Sequence, residues 1–339
     1  MAGSNETNPR YGLEMNAWPV LSSGSKGEFV LRLRGELQRL SIFDSDGSSD
    51  LFDDDLREAL KRFQSTRGLK VDGICGPQTW AAFEETRYNI GDRLLALRSP
   101  YLRGDDIGDL QRRLNELGFD SGKVDGIFGP LTQAAVAKFQ RNSGLAPDGI
   151  FGKDTANALF QLKLPEHHDR YRPLVGSLKE IEMLRQVPGQ NEGPLVTIFL
   201  RGHSEVTYPP KNPELRIETY EVESLPESPS LAQIANSSGS CAVLLIQQSL
   251  DDQATITYYR GYRYVSANGR GLGMLISSSL RALIDNLEVR VEGLATPFLR
   301  ETQMPAVIVE VPEVVHSRFE DLLASIAETL INWFGTFAD

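Results

Sequence analysis

One stretch, Val124-Asp125-Gly126-Ile127-Phe128-Gly129-Pro130, recurs in near copy as Val71-Asp72-Gly73-Ile74-Cys75-Gly76-Pro77 and as Pro147-Asp148-Gly149-Ile150-Phe151-Gly152. In each copy Asp-Gly reads as a tight turn, because the carboxylate accepts a bond from its own backbone and Gly takes the positive φ that other residues resist. The Ile that follows is expected to plug inward. The second Gly leads into a helix start, marked by Pro77 or Pro130 at the first position and by Thr79, Thr132 and Thr155 three residues after that Gly. Turn, plug and helix form one repeating unit.

The copies lie in two larger blocks. Phe63 to Phe83 matches Phe139 to Leu159 without a gap at an offset of 76, and Val30, Leu33, Leu37 and Leu40 match Ile107, Leu110, Leu114 and Leu117 at an offset of 77. Spacings of three and four put these apolar residues on one helix face. Each block therefore predicts a small all-α three-helix bundle, over 28–90 and 100–163, after a flexible tail at 1–27. In the first bundle the middle turn has decayed to Asp46-Gly47-Ser48-Ser49-Asp50-Leu51-Phe52-Asp53, which keeps an apolar plug and loses the glycine before the helix.

This pattern resembles the peptidoglycan-binding domain that accompanies bacterial cell-wall hydrolases, in tandem over roughly residues 28 to 162. The resemblance implies binding of glycan-peptide wall material or its lipid-linked precursor, with Asp125, Gly126, Phe128, Asp148, Gly149 and Phe151 as the ligand-binding positions. Turn geometry and core packing account for the same residues, so both readings stand. The second bundle, with its middle turn intact, is expected to bind better than the first, whose Asp53-Asp54-Asp55 would repel carboxylated stem peptides.

The 339 residues suggest two or three domains, and 40% hydrophobic content is enough for sizeable cores. A net charge of −11 and a pI near 5.0 argue against a general nucleic-acid or anionic-membrane surface. A basic set at Arg112, Arg113, Lys123, Lys138 and Arg141 reads as a solvated helix face. The first 26 residues lack the basic start and apolar core of a secretory signal, and no apolar run is long enough to span a bilayer, so the expected location is cytoplasmic. Cys75 and Cys241 fall in different domains and offer no disulfide framework.

A polar linker at 164–175 follows. Its neighbouring His167 and His168 lack further donors at ligand spacing, so no metal is expected there. From 176 to 335 strand-like and helix-like patterns alternate, which predicts an α/β domain with a mainly parallel sheet covered on both faces. Buried strands are expected at Val196–Leu200, Ala242–Ile246 and Ala306–Val311, with shorter ones at Ile217–Val222, Thr255–Tyr259 and Arg290–Val291. Helices are expected at Leu272–Leu287 and Phe319–Phe334.

The run Leu299-Arg300-Glu301-Thr302-Gln303-Met304-Pro305-Ala306-Val307-Ile308-Val309-Glu310 resembles a segment of the zinc-dependent N-acetylmuramoyl-L-alanine amidases. That resemblance implies a zinc held by His, Glu and His, and a further glutamate that activates the metal-bound water, a role that falls on Glu310. Of the ligands, His203 aligns with the first without its usual glycine-rich flanks. Pro209, Pro210 and Pro213 interrupt the segment that would carry the second, and Gln247 stands where the third requires imidazole. His316 and Glu313 are the fallback donors. The expectation is an amidase fold that has lost catalysis, with Glu310 vestigial and no cofactor; zinc belongs to the alternative, an active amidase.

Taken over the whole chain, the arrangement resembles the actinobacterial CwlM-type proteins. The resemblance implies a regulator of peptidoglycan precursor synthesis under Ser/Thr kinase control, acting on a cell-wall enzyme, UDP-N-acetylglucosamine enolpyruvyl transferase. The tail 336–339, too short to add structure, resembles the threonine-bearing tail of those proteins. Thr336 is the expected phosphate acceptor, with Thr7 an equally open hydroxyl.

Overall fold

The computed structural model describes residues 18–44, 49–162, 184, 193–202, 214–224, 230–262, 264–316 and 318–337, without the side chain of His316. Thr7, the linker 164–175 with His167 and His168, His203 and the prolines at 209, 210 and 213 lie outside the described residues. The chain divides into two compact units, Met1–Tyr88 and Asn89–Asp339.

The first unit is the expected bundle, built from α1 (Glu28–Arg39), α2 (Asp54–Arg67) and α3 (Pro77–Glu85). Val30, Leu33 and Leu37 of α1 meet Leu56, Leu60 and Phe63 of α2 and Phe83 of α3, all buried, because three- and four-residue spacing lines them on facing stripes. The bundle begins earlier than predicted. Trp18 stacks on Trp80 at 4.8 Å between ring centroids, and Leu21 is buried and pairs with Cys75 in an antiparallel bridge. Residues 18–27 of the expected tail therefore belong to the fold: an apolar Leu spaced outside the helical pattern leaves no periodic signal.

The second unit opens with the matching bundle, α4 (Asp105–Glu116), α5 (Pro130–Asn142) and α6 (Lys153–Gln161). Leu95, ahead of the expected start at 100, is fully buried and bridges Phe151 as Leu21 bridges Cys75. The turns place their apolar residues differently from the sequence reading. Ile74 is 40% exposed, Ile150 is half-buried, and Ile127, though buried, lies outside the bundle's core, whereas Cys75, Phe128 and Phe151 are at most 1% exposed and sit in the cores. The plug is the residue after Ile, since the extended bridge that follows each turn aims alternate side chains inward.

Among the described residues the α/β domain carries six strands in the order β2-β1-β3-β6-β4-β5, with β1 Leu195–Arg201, β2 Arg216–Glu221, β3 Ala242–Gln248, β4 Ala254–Tyr259, β5 Val289–Leu294 and β6 Ala306–Val311. β2, β1, β3 and β6 are parallel; β4 runs antiparallel to β6 and parallel to β5. The helices are α7 (Leu231–Ser238), α8 (Ala267–Leu283), α9 (Pro297–Glu301), α10 (Glu313–His316) and α11 (Phe319–Gly335).

Strand alternation divides the apolar side chains between two layers. Ile198, Leu244 and Val309 face α8 and α11. Phe199, Val243 and Ile308 face the opposite layer, where Ala235 of α7, Leu299 of α9 and Val124 of the second bundle's middle turn complete one cluster. The bundle thus contributes to a core of the α/β domain. No helix among the described residues is long and apolar enough to cross a membrane.

The C-terminal residues carry more structure than expected. α11 runs through Gly335, the Thr336 hydroxyl donates to the Trp333 carbonyl at 2.6 Å, and Phe337 packs edge-on against the Trp333 ring. An aromatic side chain next to an open ring gives even two residues a reason to order.

Candidate functional site

Each repeated turn is held by a buried glutamine that the sequence reading did not single out. Gln64 donates to the Asp72 carboxylate at 2.9 Å and the Ile74 carbonyl at 3.0 Å, and accepts from Gly73 N–H at 2.9 Å. Gln111 does the same for Asp125, Ile127 and Gly126, and Gln140 for Asp148, Ile150 and Gly149. Thr79, Thr132 and Thr155 take a further bond from the glutamine, so they serve the turn as well as the helix start. One side chain thereby satisfies groups that would otherwise be buried without partners. The signal was in the repeat itself: Gln64 and Gln140 follow Phe63 and Phe139 at the common offset of 76.

The decayed turn follows from the same network. Arg34 occupies the position of Gln111 at the offset of 77, and donates to the Leu51 carbonyl at 2.8 Å and to the Asp53 carboxylate. A guanidinium offers only donors, so it cannot accept the N–H of a turn glycine. Asp53 in turn caps α2 by accepting from Leu56 N–H at 2.9 Å.

The six expected ligand-binding residues divide by environment. Phe128 and Phe151 lie in the bundle core and contact no solvent, which corrects their assignment as ligand contacts: the position after Ile points inward. Asp148 stays exposed, and the Ile150 N–H and the Gln140 amide hold its carboxyl below the usual carboxylate range. Asp125 accepts from the equivalent Ile127 N–H and Gln111, yet burial pushes its carboxyl up against those bonds and the charges of Arg300 and Lys123. Arg300 Nε donates to the Asp125 carbonyl at 2.7 Å, so the turn at Asp125 and Gly126 faces the α/β domain. Gly149 packs beneath Gln133 of its own bundle. Lys123 and Arg113 are likewise not a solvated face: Lys123 reaches the Leu299 carbonyl, and Arg113 the Leu159 and Leu162 carbonyls.

In the α/β domain Arg201, Gln247 and Glu310 stand side by side in register at the C-terminal ends of β1, β3 and β6. Such strand ends are where ligands of parallel sheets sit. Arg201 donates to the Gln247 amide oxygen at 3.3 Å, and the Gln247 amide nitrogen donates to Glu310 at 2.8 Å. Gln248 donates to Glu313 beside them. A zinc at this row would meet an N–H and a guanidinium where imidazole is required, so the donor set described does not fit the metal. Among the described residues no three His, Cys, Asp or Glu side chains gather as a metal site.

The chain is similar to the amidase CwlM of Mycobacterium tuberculosis at 30% identity, over 90% of this chain and 85% of that one. The chain belongs to the CwlM family. Within this CwlM-type chain, residues 26–83 and 103–159 each match the family described as "Putative peptidoglycan binding domain". The amidase CwlL of Bacillus licheniformis is 31% identical over 40% of this chain and 44% of its own length. Solved structures similar to it include the amidase Ami1 from Mycobacterium smegmatis, at 13% identity over 44% of this chain and 99% of that one with a TM-score of 0.28, and AmiC2 of Nostoc punctiforme, at 14% over 43% and 98% with a TM-score of 0.28.

Proposed function

We propose that this CwlM-type chain is a non-catalytic protein that binds peptidoglycan fragments or lipid-linked precursor in the cytoplasm and regulates wall synthesis through a protein partner. The observation that carries this reading is the Arg201–Gln247–Glu310 row, in which the carboxylate that an amidase would use on a metal-bound water instead accepts from an amide. Two peptidoglycan-binding modules support the ligand class. UDP-N-acetylglucosamine enolpyruvyl transferase is the partner proposed, with a Ser/Thr kinase acting at Thr336.

The retained Glu310 and the similarity to the Mycobacterium tuberculosis amidase CwlM favour a second reading, a zinc amidase cleaving the bond between N-acetylmuramic acid and L-alanine. Metal analysis of the purified full chain, paired with digestion of peptidoglycan, separates the two. The expected result is less than about a tenth of an equivalent of zinc and no released stem peptide. Stoichiometric zinc with stem-peptide release would establish the amidase. Capture of the transferase from cytoplasm by the full chain, and its loss with Thr336→Ala, tests the regulatory half.

A further inference from the structure

The three glutamine-held turns differ in what covers the turn glycine. A β-carbon placed on Gly73 would touch Arg57, and one on Gly149 would touch Gln133, each a helix residue of the same bundle. Arg57 and Gln133 lie seven positions before Gln64 and Gln140, two turns up the same helix face. The residue seven before Gln111 is Gly104, which has no side chain to offer. A β-carbon on Gly126 would instead stand 2.9 Å from the Gly104 carbonyl oxygen and 3.1 Å from Arg300 Nη2, which arrives from α9 of the α/β domain.

The contact is reciprocal. Arg300 Nε donates to the Asp125 carbonyl at 2.7 Å, while Lys123 Nζ runs the other way to the carbonyls of Leu299 and Thr302 at 2.7 and 3.3 Å, with Nζ 4.0 Å from the centroid of the Tyr259 ring. These are carbonyls at the end of a short helix, which need donors from outside it. Val124 is 4% exposed within the α/β cluster and is absent from the bundle's own core. Arg103 and Glu301 add an ion pair at the edge.

We propose that α9 is a built-in docking partner for the second bundle: Arg300, reaching from the α/β domain, covers the turn glycine Gly126 as Arg57 and Gln133 cover Gly73 and Gly149, and the two domains move as one rigid body. This inference does not depend on which wall component the bundles bind.

Paired spin labels at Asn157→Cys on α6 and Met274→Cys on α8, both exposed positions, test it in the full chain. The native Cys75 and Cys241 are buried and can stay in place. The expected result is one narrow distance distribution, whose width at least doubles with Arg300→Ala and with Val124→Asp. Both variants should keep the parental far-ultraviolet circular dichroism, since Val124 and Arg300 lie outside the bundle core. If Val124→Asp loses fold, Arg300→Ala alone decides. A broad distribution in the parent, or an unchanged narrow one in folded Arg300→Ala, would overturn the proposal.

Discussion

Gln64, Gln111 and Gln140 each serve two carbonyl or carboxylate acceptors and one glycine N–H from a single buried amide. Gln140→Ala would strand the Gly149 N–H and leave the Ile150 carbonyl only the 3.3 Å bond from the Thr155 hydroxyl, and it should cost about 1–3 kcal/mol of stability, read by urea unfolding. Gln140→Glu should cost a comparable amount, because a carboxylate cannot donate to Asp148. Two aspartates in the same kind of turn should respond oppositely to pH. The folded chain holds the Asp125 proton more tightly than the unfolded chain, so its contribution to stability is largest in acid and is lost as pH rises from the ordinary carboxylate range through the raised folded value. Asp148 is shifted down, so its contribution is present above that range and is lost as pH falls. Urea unfolding at pH 7 should therefore show Asp125→Asn as neutral or stabilising and Asp148→Asn as destabilising, with the difference shrinking toward pH 3. At this scale the turn glycines and the apolar plug were legible as a pattern. Which of Ile and its neighbour points inward was not, because both are apolar and only the bridge geometry separates them. The glutamines were missed because a polar residue on a helix reads as solvated until its acceptors are known.

The decayed element in the first bundle depends on one replacement. Arg34 in the glutamine position offers donors alone, and it holds the segment through the Leu51 carbonyl and Asp53. Arg34→Ala should cost about 1–3 kcal/mol by leaving that carbonyl unpaired, and hydrogen exchange should rise at Leu56, whose N–H is capped by Asp53. The C-terminal turn makes a different prediction. A negative charge at Thr336, as in Thr336→Glu, removes the bond to the Trp333 carbonyl and adds charge where the end of α11 is already negative. Exchange of the Phe337 amide, which donates to Phe334, should speed up, and an unchanged rate would show that the turn does not depend on that hydroxyl. The strands and the two long helices were readable from apolar runs and from 3.6-residue spacing. α7 escaped because Leu231–Ser238 is rich in Ala and Ser, and α9 because five residues hold barely one helical turn. The reversed direction of β4 leaves no trace in an apolar pattern, which records burial and is blind to polarity of the chain.

Across the molecule, the division predicted from composition placed the second bundle apart from the α/β domain, whereas the two share one compact unit. The cause lies in contacts between distant positions, such as Lys123 with Leu299 and Arg300 with Asp125, that no local window contains. The candidate site is a parallel case: Glu310 and Gln247 were legible as positions, while the bond that joins them and the reach of Arg201 required the sheet register. The joint at α9 also has a consequence for descent. Because Val124 and Arg300 serve the same joint, the two positions are under joint selection. Aligned relatives should show them varying together, with Arg at 300 kept where 124 is apolar and released where 124 is polar. Independent variation at the two sites would mean that the joint is peculiar to this chain, and a paired pattern would let a domain contact be recognised in relatives from their sequences.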